Sequence, residues 1–227
     1  MPTPSWDLVI FDNDGVLVDS EHIANDVLAT LLTELGYPTT PSESVDRYLG
    51  GSIGRVRVVI EAASGERLPD DFERRYEDEV LSRFERDLSA VAGVKEALDA
   101  ITVPVCVASS GSHERIRFSL TRARLIDRFA GHLFSSSDVA HGKPAPDLFL
   151  HAAAAMGVAP ARVAVIEDSP LGVEAANAAG MTVFGYSALT PEARLAGAAV
   201  RFDDMAALPG LLARPAPAPP RDARMTS

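Results

Sequence analysis

Asp12 and Asp14, with Asn13 between them and Gly15 after, stand directly behind an apolar run from Trp6 to Phe11. Two carboxylates at that spacing can turn toward one small volume where the chain leaves a buried strand, and Gly15 permits the tight backbone curl this needs. Anions so close repel, and one of them acquires a raised pKa unless a proton or a cation joins the pair. An all-oxygen site of this kind suits a hard divalent cation such as Mg²⁺. Taken alone, D-x-D-G is more often a turn than a centre of chemistry. A calcium loop is ruled out, because Val16 and Ile23 stand where that loop requires oxygen ligands.

Three further segments carry the same mark. Ser109-Ser110-Gly111-Ser112 closes the apolar run Val103 to Ala108 and precedes a helical pattern, so free N–H groups there could hold a phosphate; a simple helix cap by Ser112 explains the same residues. Lys143 leads Gly142-Lys143-Pro144-Ala145-Pro146, where two prolines restrict the backbone around a charge that would otherwise be solvated. Glu167-Asp168-Ser169-Pro170 closes another apolar run, Val163 to Ile166, and by itself could be only the acidic start of a helix. All four segments follow, or lie shortly after, expected parallel strands, whose carboxyl ends form one edge of an open sheet.

The elements that must position these groups divide in two. Residues 17 to 88 read as consecutive helices: a stripe of Ile23, Val27, Leu28, Leu31, Leu32 and Leu35 behind an Asp19-Ser20 cap, then Pro41 to Leu49, Ile53 to Ala63, and Pro69 to Leu88 with Phe72, Tyr76, Val80, Leu81, Phe84 and Leu88 on its apolar side. From residue 93 helix and strand alternate to a last helix at Asp203 to Leu212, as right-handed βαβ crossovers do. The expected fold is α/β, a Rossmann-like doubly wound parallel sheet over residues 1–17 and 89–212, with a small all-helical cap domain inserted at 18–88. Residues 213–227, rich in proline and alanine, cannot bury a core and are expected to be disordered.

Composition narrows the partners. The 227 residues carry a formal charge of −11, so a nucleic acid, which needs a basic face, is not expected. No apolar stretch reaches the roughly 20 residues of a membrane span, no signal segment precedes the first strand, and the cytoplasm is the expected compartment. A monomer or weak homo-oligomer is expected. Cys106 sits in an apolar run and reads as an inert buried thiol. Of the 21 basic residues only Lys95 and Lys143 are lysines, so Lys143 marks a place that wants a compact point charge. The five histidines lack metal-ligand spacing, and Arg115, Arg117, Arg122, Arg124 and Arg128 read as a solvated helix face and the turn after it.

In combination the four segments resemble the haloacid dehalogenase superfamily, and within it the phosphatase and β-phosphoglucomutase-like members with a helical cap inserted after the first motif. The motifs appear in order as Asp12-Asn13-Asp14-Gly15-Val16, Ser109, Lys143 and Glu167-Asp168, and the likeness runs over about residues 5 to 210. The resemblance implies a Mg²⁺-dependent phosphatase of a small phosphorylated metabolite, working through an aspartyl-phosphate. Asp12 would be the nucleophile and Asp14 the acid and base. The metal would be held by Asp12, the main-chain carbonyl of Asp14 and Asp168, with Glu167 in support. Ser109, Ser110 and Lys143 would hold the phosphoryl oxygens. Glu21, Gly50, Ser52 and Arg55 are candidates for substrate contact, and the cap would be expected to open and close. A sugar phosphomutase is the alternative, disfavoured because Leu49-Gly50-Gly51-Ser52-Ile53 lacks the two cations that hold a second phosphate there and Ala24 replaces a histidine; Arg55 or Arg57 could restore a charge. A catalytically silent binding protein is disfavoured by the intact motif residues. A true dehalogenase would use one nucleophilic Asp without the second acid or the metal.

Overall fold

The computed structural model describes residues 6–48, 53–129 and 131–214. The chain forms two compact units, one comprising Met1–Val18 with Ala90–Ser227, the other Asp19–Ser89. In the first, β1 (Leu8–Phe11), β2 (Val105–Ser109), β3 (Leu133–Ser135), β4 (Val163–Glu167), β5 (Thr182–Tyr186) and β6 (Val200–Phe202) form one sheet in the order β3-β2-β1-β4-β5-β6. All its pairs are parallel. This is a Rossmann-like doubly wound α/β fold. The order reverses between β1 and β4, and open α/β sheets bind ligands at the carboxyl edge of such a switch point.

Strand β1 is buried along its whole length because helices cover both faces of the sheet. Leu8 and Ile10 pack with Cys106, Leu148, Phe149, Val165 and Val173. One residue out of phase, Phe11 meets the Phe129 ring edge-on at 6.3 Å. Cys106 is fully buried and its thiol is pushed up to about 12 by that burial, which makes it the inert residue expected.

The second unit holds α1 (Ser20–Glu34), α2 (Pro41–Tyr48), α3 (Ile53–Ser64) and α4 (Phe72–Asp87). Its core joins Leu28, Leu31, Leu32, Tyr48, Val56, Ile60, Leu68 and Phe72, with Tyr76 against it. Leu81 departs from the expected apolar stripe. It is 50% exposed, because it follows the buried Val80 and points about 100° round the helix from it. Asp19 precedes α1 without a side-chain capping bond.

The remaining helices of the first unit are α5 (Val94–Ala100), α6 (His113–Arg122), α7 (Asp147–Ala155), α8 (Pro170–Ala178) and α9 (Leu208–Leu212). The expected last helix is divided into a short 3₁₀ turn at Met205–Ala207 and α9, whose Pro209 occupies the first turn where its missing N–H costs nothing. Leu49, Gly50, Ser52 and the expected disordered tail beyond Arg214 lie outside the described residues.

Candidate active site

The switch point puts acids from two strands side by side. Phe11 pairs with Ile166, and the Asp12 N–H continues the ladder by donating to the Ile166 carbonyl at 2.9 Å, so Asp12 leaves the sheet next to Glu167. Ligand atoms of Asp12, Glu167 and Asp168 lie within 4.8 Å of one another, and all three residues are buried. Gly15, at φ +75°, turns the chain back, where its N–H donates to the Val18 carbonyl. Asn13, fully buried, fixes this turn to α6 through Nδ2 to Ser119 Oγ at 3.1 Å.

Lys143 closes the centre. Its ammonium donates to Asp12 Oδ1 at 2.6 Å, to Glu167 Oε1 at 2.7 Å and to the Ala108 carbonyl at 3.2 Å, so one side chain joins the ends of β1, β4 and β2. Three N–H donors meet three acceptors, and none is left over. The side chain is only 4% exposed. Burial works against its charge, but Asp12 and Glu167 outweigh it and raise Lys143 above the ordinary lysine range. Burial likewise pushes Asp12 up to about 7, opposed by Lys143 and reinforced by Glu167 and Asp14.

Glu167 is held at both oxygens, since Oε2 accepts from the Ser169 N–H at 2.8 Å and from Ser169 Oγ at 3.0 Å. Its side chain lies against the backbone of α8, and a Cβ on Gly172 would overlap the carboxylate. Gly172 was not singled out by the sequence, where a glycine three residues into a helix gives no sign that a carboxylate occupies its missing side chain.

Around the turn after β2, Ser109 Oγ accepts from the Gly111 N–H at 3.0 Å, and Ser112 caps α6 by accepting from the Arg115 N–H at 3.2 Å. The capping expectation therefore holds for Ser112, while Ser109 ends β2 and Ser110 belongs to the loop before α6. A second turn braces this loop from behind. Ser136 Oγ donates to the Ser110 carbonyl at 2.7 Å, Ser135 Oγ donates to the Gly111 carbonyl at 2.7 Å, and His113 Nε2 meets Asp138 Oδ1 at 2.8 Å. Nothing in the run Ser135-Ser136-Ser137-Asp138 announced this task; only its place after β3, beside β2, does.

Asp14 is not part of the acid cluster through its side chain. Oδ1 accepts from Arg115 Nη2 at 2.9 Å and Oδ2 from Asn13 Nδ2 at 3.2 Å. Arg115 is thus corrected from a member of a solvated helix face to a partner of Asp14, because the first turn of α6 begins at the loop and carries the guanidinium toward β1. Glu21 and Arg55 belong to the helical unit; Glu21 Oε2 lies 3.4 Å from Asn25 Nδ2, and Arg55 is exposed on α3. Arg57 is not a spare cation for a second phosphate, since it grips Glu73 in a two-pronged ion pair and also donates to the Leu68 and Pro69 carbonyls.

The donor set fits a divalent metal on its own chemistry. Asp12, Glu167 and Asp168 offer only oxygen, and three carboxylates against one ammonium leave two negative charges in a buried space. Among the described residues no helix is long and apolar enough to cross a membrane.

A doubly wound sheet with a buried acid–lysine centre at its switch point defines the chain as an α/β enzyme. It belongs to the haloacid dehalogenase-like hydrolases, whose family model matches residues 6–180. A 6-phosphogluconate phosphatase of Escherichia coli is 34% identical over 181 residues, which is 79% of this chain and 82% of that protein. Among solved structures, a conserved haloacid dehalogenase-like protein of unknown function from Agrobacterium tumefaciens is 40% identical with a TM-score of 0.88, over 92% of this chain and 98% of its own. A family hydrolase from Deinococcus radiodurans with bound phosphate and sodium is 32% identical with a TM-score of 0.79, over 94% and 100%.

Proposed function

We propose that the protein is a Mg²⁺-dependent phosphatase that hydrolyses a small phosphorylated metabolite through an aspartyl-phosphate on Asp12. The observation that carries this reading is the meeting of Asp12, Glu167 and Asp168 at the switch point, with one buried lysine bound to the first two. The phosphatase and the phosphate-bound hydrolase among its relatives support it.

Lys143 holds Asp12 through Oδ1, which leaves Oδ2 to attack phosphorus. The new Asp12–phosphorus bond forms as the ester oxygen departs, and Asp14 gives that alkoxide a proton. Asp14 then takes a proton from water as the water oxygen attacks the phosphoryl group, which frees Asp12 and inorganic phosphate. Ser109 and the N–H of Ser110 donate to the phosphoryl oxygens as charge moves across them, and the positive charge of Lys143 beside Asp12 stabilises that charge through space. Asp12, Asp168 and the main-chain carbonyl of Asp14 would hold Mg²⁺, with Glu167 steadying the set through Lys143 and Ser169. Bound there, the ion supplies a positive charge that lets two carboxylates and a phosphoryl group share one space. The helical unit, by this reading, is the cap.

The test is a phosphate-release screen over sugar phosphates, sugar-acid phosphates and nucleotides, with Mg²⁺ and with EDTA, beside Asp12→Asn. Release should require the metal and fall by at least about a thousandfold in the variant. Equal release by both proteins would remove Asp12 as the nucleophile.

A further inference from the structure

The residue before Asp14 settles the turn on which Asp14 stands. The Asn13 carbonyl accepts from the Leu17 N–H at 2.9 Å and from the Val18 N–H at 3.1 Å, which closes that turn. The Asn13 side chain is fully buried and meets Ser119 of α6, which is 1% exposed. Ser119 Oγ has one proton to give, and the Ile116 carbonyl of its own helix accepts it at 3.1 Å. The hydroxyl is thereby left an acceptor, and it takes the nitrogen of the Asn13 amide at 3.1 Å. The other N–H of that nitrogen donates to Asp14 Oδ2 at 3.2 Å. Turned over, the amide would set its oxygen against the carboxylate, so Ser119 fixes which end of Asn13 Asp14 meets.

Resting on the phosphatase reading above, in which Asp14 protonates the departing alkoxide, we infer that Asn13 is a positioning residue for that proton transfer, with Ser119 as its anchor. Arg115 and Ser119 stand one turn apart on the same face of α6, so one helix reaches both oxygens of Asp14, Oδ1 through Arg115 and Oδ2 through Asn13. The two holds differ in stiffness. The Arg115 side chain is 42% exposed, whereas Asn13 and Ser119 are enclosed by the core. The buried pair therefore sets where Oδ2 lies, and a catalytic group displaced by about 1 Å loses on the order of a hundredfold in rate.

Two esters of similar size separate the placing of a proton donor from mere support of the fold. Benzyl phosphate loses an alkoxide that must be protonated as it leaves; p-nitrophenyl phosphate loses a phenolate that needs no proton. The constant kcat/KM covers the steps only as far as loss of the alcohol, so the later attack by water does not enter. With Mg²⁺, Asn13→Leu should lower the benzyl to p-nitrophenyl ratio of kcat/KM at least about tenfold below wild type, a part of the roughly 10²- to 10⁴-fold that a placed general acid supplies. Ser119→Ala, which removes only the anchoring hydroxyl, should lower it about three- to tenfold, and Asp14→Asn should lower it most. Each ratio is taken within one protein, so incomplete folding cancels. An unchanged ratio in Asn13→Leu beside a lowered one in Asp14→Asn would overturn the inference and leave the phosphatase reading intact. No change in Asp14→Asn would remove the acid role of Asp14, and the inference with it. A crystal structure of Asn13→Leu needs neither ester: its Asp14 carboxylate should shift by more than roughly 0.5 Å or occupy two places, and an unmoved carboxylate would overturn the inference. Metal-dependent release absent from all phosphomonoesters would instead defeat the phosphatase reading itself.

Discussion

Lys143→Met keeps much of the side-chain volume and removes the ammonium that three strand ends share. It leaves Asp12 and Glu167, 7% and 1% exposed, without their cation. Taking one partner out of a buried charged network costs about 3–5 kcal/mol. At about 2–4 °C per kcal/mol for a chain of this size, the metal-free variant should melt roughly 6–20 °C below wild type near pH 8. The direction with pH follows from Asp12. Burial already pushes it up to about 7 while Lys143 opposes, so losing Lys143 raises it further. A carboxyl whose folded value exceeds its unfolded value of about 3.9 binds its proton more tightly in the folded chain. Stability therefore falls as pH climbs from about 4 through the raised value, and the deficit of the variant should be smaller near pH 5 than near pH 8. Thermal unfolding followed by circular dichroism in EDTA at both pH values measures this. A deficit under about 3 °C at the higher pH, or a larger one at the lower, would show that Lys143 does not balance these acids.

Gly172→Ala places a methyl where the Glu167 carboxylate lies, and should destabilise by about 1–3 kcal/mol through overpacking; an unchanged Tm would refute that crowding. Ser136→Ala frees the Ser110 carbonyl from its brace, and the loss of about 1 kcal/mol of hydrogen bonding should weaken inhibition by inorganic phosphate about three- to tenfold with kcat within about twofold. An equal inhibition constant in both proteins would separate the brace from phosphate binding. The Arg57 bond holds Glu73 down to about 2, so its stabilisation is complete above the unfolded value of about 4.3 and fades as pH falls toward 2. Glu73→Gln should thus lower Tm at neutral pH, with the two melting curves drawing together near about pH 2.5; a gap constant across that range would count against the linkage.

The parts of the site legible in the sequence are those fixed by local pattern. Apolar runs ending in acids gave β1 with Asp12 and β4 with Glu167-Asp168, because strands buried on both faces need near-continuous apolar residues and the following turn sets its acids at the sheet edge. What the sequence withheld depends on partners far along the chain. Arg115 meets Asp14 across 101 positions and Ser136 meets Ser110 across 26, so neither periodicity nor spacing reveals them. Arg57 was open to a phosphate-binding role because Glu73, which engages it, lies on another helix. Boundaries also shifted where prolines intervene: α4 begins at Phe72 rather than Pro69, and Pro209 starts a new helix instead of continuing one.

The chain leaves its sheet unit after Val18 and rejoins it at Ala90, and these two residues form an isolated antiparallel bridge, with the Val91 N–H donating to the Leu17 carbonyl at 3.0 Å. The whole helical excursion is thereby pinched off at its stem. A different insert of any length, spliced between the same two bonds, would leave the register of β1 with β2 and β4 untouched. The helical unit can thus be exchanged by recombination without re-evolving the sheet that carries the acid–lysine centre.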